Sequence, residues 1–127
     1  MVSPAAAQRG IILFAHGSRD PQWHQPMQAV AIRARQIAPQ ALVRCAYLEL
    51  SSPDLPTCAA ELVAAGVQSI TIVPMFLGVG RHAREDLPRL LLDLQARHPG
   101  VAWHLRGAIG EDERVIDLLA HVALTDA

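Results

Sequence analysis

The chain has 127 residues, the length of one compact domain, and 51% of them are hydrophobic, so a core can form without disulfides or a structural metal. Its net charge is −1 with the histidines neutral, which excludes the basic excess of a nucleic-acid-binding surface. No apolar run approaches the ~20 residues that span a bilayer, and the opening MVSPAAAQRG is too short and too weakly apolar for a signal sequence. A soluble cytoplasmic protein is expected, with neither nucleic acid nor membrane as partner. Cys45 and Cys58 form no C-x-x-C pair and read as reduced, packed thiols.

The first predicted strand is GIILFAH, Gly10 to His16. A helix follows from about Pro21–Gln25, with Met27, Val30, Ala31, Ala34 and Ile37 at helical spacing and Pro39 ending it. The second strand is Ala41 to Leu50. Ser52 as cap and Pro53 at the first helical position then predict a helix that Gly66 closes in a left-handed conformation. VQSITIVPMFL is apolar and β-branched almost throughout, as in a central strand buried on both faces. After the loop GVGRHA, the segment from Arg84 carries one stripe of Leu87, Leu90, Leu91 and Leu94 until Pro99-Gly100 stops it. VAWHLRGAIG is a fourth strand with its exit, and EDERVIDLLAHVAL a final helix with acids in its first turn. The order βαβαβαβα, with right-handed crossovers, predicts an α/β fold: a three-layer sandwich on a four-stranded parallel sheet. A single domain, residues 1–127 with its core in about 10–124, is expected.

Ligands of open α/β sheets sit beyond the carboxyl ends of the strands. The first strand delivers His16, Gly17, Ser18 and Arg19 there; the second delivers Tyr47 and Glu49, then Ser51 and Ser52; the third delivers Phe76 and then a loop with Arg81, His82 and Arg84. One histidine at a strand end is commonly structural, but two at one rim beside a glutamate point to a site. His24, His98 and His121 read as surface or capping residues, and His104 as a core or interface residue. Ser18 beside His16 is no triad, because neighbours at a strand end point apart. GVGRHA lacks the third glycine and the acidic partner of a dinucleotide fingerprint. Two imidazoles with a nearby carboxylate suit a first-row divalent ion held transiently, whereas a structural zinc is closed by four ligands.

Three stretches, ILFAHGSRD, AYLELSSPDLP and IVPMFLGVGRHAREDLP, resemble the short class II tetrapyrrole chelatases, the sirohydrochlorin cobaltochelatases and ferrochelatases of the CbiX/SirB type. The resemblance runs from about Gly10 to Leu124. It implies a chelatase-like, flavodoxin-related fold and a homodimer with the site in the cleft between subunits. It implies insertion of Co, Ni or Fe as divalent ions into sirohydrochlorin or a related tetrapyrrole, on the routes to cobalamin and sirohaem. His16 and His82 match the family's histidines, as metal ligands or catalytic groups, and Glu49 its glutamate. No tightly bound cofactor is implied; the metal is a substrate. Insertion strips two pyrrole protons, which suits histidine and Glu49 as acceptors. Sirohydrochlorin is rich in carboxylates, which suits Arg19, Arg81 and Arg84, with Ser18 beside them. Its flat ring suits apolar walls such as Phe76.

Two other readings use the same residues. A metal- or tetrapyrrole-binding carrier needs the ligands but no proton acceptor, and Glu49 favours insertion over carriage. A phosphoryl-transfer enzyme with a nucleophilic His16 needs charge neutralisation beside it, where this chain has Ala15.

Overall fold

A computed structural model describes residues 9–126. Its elements run β1 (Arg9–Ala15), a 3-10 turn (Pro21–His24), α1 (Gln25–Ile37), β2 (Leu42–Tyr47), α2 (Leu55–Ala64), β3 (Ser69–Pro74), α3 (Arg81–Arg97), β4 (Ala102–Leu105), a 3-10 turn (Ile109–Glu111) and α4 (Glu113–Leu124). The strands lie in the order β2-β1-β3-β4, all parallel, with Phe14 opposite both Ala46 and Pro74. Fold class and element order are as the sequence predicts.

Alternation along β1 sends Ile12 and Phe14 to one face and Leu13 and Ala15 to the other. The first face is closed by α2 and α3 through Leu55, Cys58, Leu62, Leu87 and Leu94, which meet Ile70, Ile72 and Trp103. The second face is packed by α1 through Met27 and Ala31, against Val43, Tyr47 and Val73. α4 contributes no buried side chain to either cluster. It packs mainly on the 3-10 turn before it.

Several boundaries differ from the sequence reading. β2 ends at Tyr47, so Glu49 stands in a turn beyond the strand, followed by Leu50 at φ 63°. Ser52 and Pro53 do not start α2. Their peptide bond is cis, and the Pro53 carbonyl accepts from the Tyr47 amide at 3.0 Å. Asp54 caps the helix instead, its carboxylate accepting from the Thr57 amide at 2.9 Å, and Pro56 takes the tolerated place in the first turn. α3 begins at Arg81 rather than Arg84, capped by Gly80 and held by Arg84 N–H to the Gly80 carbonyl at 3.0 Å. Pro88 sits inside α3, where it supplies no amide for the Arg84 carbonyl. Gly66 has φ 96°, as its place after α2 predicts. His104 is exposed on β4, which overturns its reading as a core residue.

Candidate functional site

The carboxyl end of β1 is held on both sides. The Leu48 amide donates to the Ala15 carbonyl at 2.9 Å and the Glu49 amide to the His16 carbonyl at 3.0 Å, so the pairing with the β2 side runs past the strand ends. Gly17 then turns at φ 100°; a Cβ there would fall 1.8 Å from the Glu49 carbonyl oxygen, so only glycine permits the approach. His16 is thereby lifted out of the sheet and exposed. Its imidazole lies over the buried Phe76 ring, centroids 4.4 Å apart and planes inclined by 34°.

Phe76 is fixed in turn. Its carbonyl accepts from the Gly110 amide at 2.9 Å, and Gly110 passes so close to Leu77 that a side chain would collide with that backbone. The chain continues into α3, whose first turn carries His82. His16 and His82 open into the same cleft of about 120 Å³, with Phe14, Phe76, Leu87 and Leu90 among its walls. His16, just beyond β1, and His82, in the first turn of α3, thus line one largely apolar cleft. Asp86 lines the cleft as well, one helical turn beyond His82. With α3 read as starting at Arg84 this i,i+4 relation was hidden, although both residues are plain in the motif.

The other predicted residues are distributed differently. Glu49 is exposed and is not part of the cleft wall. Among the described residues no three His, Cys, Asp or Glu side chains are grouped to hold a metal ion. His16 and His82 are the two imidazoles that line the cleft. Arg19, Arg81 and Arg84 are exposed at the rim. Arg81 reaches Glu85 at 3.5 Å in a surface pair that binds little. Ser18 is committed to the turn: its hydroxyl accepts from the Asp20 amide at 3.1 Å, and its amide and carbonyl are both bonded to Ser51. The sequence puts Ser51 beyond the second strand and reads His24 as a surface or capping residue; only the fold shows that the two meet each other and the Ser18 turn.

The two thiols stay out of this chemistry. Burial pushes Cys58 up to about 12, so it remains protonated, and burial also raises Cys45.

Comparison with known proteins decides the lineage. The CbiX family model matches residues 10–125. The chain belongs to the CbiX family. It is 30% identical over 112 residues to a sirohydrochlorin cobaltochelatase of Sulfurisphaera tokodaii, covering 87% of each chain. The crystal structure of a CbiX protein from Marinobacter aquaeolei superposes with a TM-score of 0.78 at 36% identity, over 91% of this chain and 93% of that one. The cobalt complex of the sirohydrochlorin chelatase SirB from Bacillus subtilis gives 0.71 at 27% identity, over 90% of this chain but only 49% of that one. The present fold thus corresponds to about half of the SirB chain.

Proposed function

We propose that this CbiX-family chain is a metal chelatase that inserts a divalent ion, Co(II) or another first-row ion such as Ni(II) or Fe(II), into sirohydrochlorin or a close relative. The observation that carries this reading is the placement of His16, just beyond β1, and His82, in the first turn of α3, at one apolar-walled cleft. Relatives called sirohydrochlorin cobaltochelatases, and SirB structures with cobalt and with Fe3+, support the substrate pair.

In this reading His16 and His82 hold the ion through imidazole nitrogens. The flat macrocycle lies against the apolar wall, its carboxylates facing Arg19, Arg81 and Arg84. Insertion exchanges the protein's two nitrogens for the four of the macrocycle and releases two pyrrole protons. Glu49, exposed beside the site, accepts one. An imidazole freed by the departing ion accepts the other, and both protons pass to water.

The active unit in this proposal is a homodimer. Ile116, Leu118, Leu119 and Val122 of α4 are 44%, 63%, 45% and 63% exposed, all on one side of the helix. The α1 face of the sheet bears a trough of about 420 Å³, floored by Ile11, Thr71 and Val73 and bordered by Arg9 and Arg106. A helix without a sheet and a sheet without a helix, in the same chain, are complementary between two copies. Among the described residues no helix is long and apolar enough to cross a membrane.

The test is spectrophotometric: sirohydrochlorin with Co(II), Ni(II) or Fe(II), with and without protein. Insertion should accelerate with the wild type and fall by ~10²-fold or more in His16→Ala and His82→Ala. Glu49→Gln should bind Co(II) as the wild type does and insert slowly, by ~10²-fold, the worth of a positioned base. Full activity in both histidine variants sinks the site. Binding without turnover in the wild type makes the chain a carrier.

A further inference from the structure

Behind the His16 turn lies a second group of side chains that is not part of the cleft wall. Ser51, in the turn after β2, has a hydroxyl with three partners. It lies 2.8 Å from the Ser18 carbonyl, 2.9 Å from the Ser18 amide and 2.9 Å from Nε2 of His24. His24, at the end of the first 3-10 turn, lies face to face with Tyr47, centroids 4.8 Å apart and planes inclined by 23°. Tyr47 is buried in the core beneath α1.

A hydroxyl carries one hydrogen and two acceptor positions. The Ser18 amide can only donate, so it fills one acceptor position. The Ser18 carbonyl can only accept, so it takes the single hydrogen. What remains for His24 is the second acceptor position, and Nε2 must donate into it. All three partners are satisfied with His24 in the Nε2–H form; the Nδ1–H form would compete with the Ser18 carbonyl for one hydrogen.

We propose that Ser51 and His24 are positioning residues that set the place of the His16 imidazole from behind, by clamping both backbone groups of Ser18. The clamp acts two residues from His16, across Gly17, the one flexible position between them. His24 is itself held by stacking on a core tyrosine, so the alignment of the site is referred to the core beneath α1. Loss of the Ser51 hydroxyl frees the Ser18 peptide groups and lets the turn swing about Gly17, moving His16 off Phe76. This rests on the reading of His16 and His82 as metal ligands, and its test separates the two.

Imidazole ¹⁵N–¹H correlation spectra of the metal-free protein should show His24 as the Nε2–H tautomer. Calorimetric titration with Co(II) alone should show Ser51→Ala binding ~10-fold more weakly than wild type, the usual effect of removing a group that orients a ligand. Two further variants isolate the hydrogen bond from the stacking. Gln places an amide N–H where the imidazole Nε2–H sits, and Asn is one bond too short. Both lose the ring, so His24→Gln should stay within about twofold of wild type while His24→Asn falls as far as Ser51→Ala. That pair decides the matter even if Ser51→Ala fails to fold. An Nδ1–H tautomer at His24, unchanged Co(II) affinity in Ser51→Ala, or equal affinities for the Gln and Asn variants would overturn the proposal. A wild type that binds no Co(II) sinks the metal site instead, and the His24 tautomer still decides whether the clamp exists.

Discussion

On one face of the sheet, α2 and α3 remove Ile12, Phe14, Ile70, Ile72 and Trp103 from water. On the other, α1 covers Leu13, Val43 and Tyr47 and stops short, leaving Thr71 half-buried and His104 exposed. The cause is topological. The crossovers β2→β3 and β3→β4 are both right-handed steps in one direction, so α2 and α3 share a face. Only β1→β2 runs the other way, so α1 is alone on its face unless α4 joins it. The face with two helices carries the cleft, through Phe76 and Leu87. The face with one helix carries the Tyr47 support of the His16 turn. The closed face supplies the cleft's apolar floor, and in the proposed dimer the open face is where the second copy docks.

Truncations on the two faces should differ most in stability. Leu62 is buried among Gly10, Ile70 and the rest of the closed cluster, so Leu62→Ala should cost ~2–5 kcal/mol. Leu119→Ala on α4 should cost no more than about 0.5 kcal/mol in dilute solution, as an exposed position does. Urea unfolding of both variants at low protein concentration measures the contrast. Equal losses would mean that α4 already packs on its own sheet.

Concentration sharpens the same comparison. If a second copy covers the open face, the wild-type unfolding midpoint should rise with protein concentration. Leu118→Asp with Val122→Asp should remove that dependence and leave a folded monomer in sedimentation, because neither residue belongs to a core cluster. A double variant that sediments as the wild type does would place the interface elsewhere.

The closed face was also the more legible one. Its helices announce themselves by periodic leucines in α3 and by the glycine that ends α2, and β3 by a run that is apolar and β-branched almost throughout. The strand end is enough to locate His16, because in a parallel sheet position along the strand fixes which rim a residue reaches; His82 follows because the loop after β3 leads into α3 at that same rim. The misplaced boundaries share one feature: a tertiary contact overrides a local signal. Ser52 has the chemistry of a helix cap, but the Tyr47 amide claims the Pro53 carbonyl and moves the cap to Asp54. The apolar alternation of β2 runs on to Leu50, yet the strand stops where Gly17 drives against Glu49. Ser51 and His24 meet only after β1 and β2 have paired, across 27 residues of chain, and no spacing rule reaches that far.

The smallest expected difference between the faces lies in their thiols. Cys58 is fully buried on the inner side of α2, whereas Cys45 on the α1 face is half-buried. Burial raises the folded-state value of Cys58 from 9.0 to about 12. Below pH 9 both folded and unfolded chains hold the proton, and nothing is lost. Between pH 9 and 12 the unfolded chain releases a proton that the folded chain keeps, so stability falls as pH rises, by up to ~1.4 kcal/mol per unit from this group. Wild type should therefore lose about 1 kcal/mol more than Cys58→Ala between pH 8 and pH 10. The two chains differ only at residue 58, so the difference between the two losses is assigned to Cys58. Urea midpoints at the two pH values measure it. Identical losses would mean that the α2 face admits water to Cys58, and that it is less tightly closed than its packing requires.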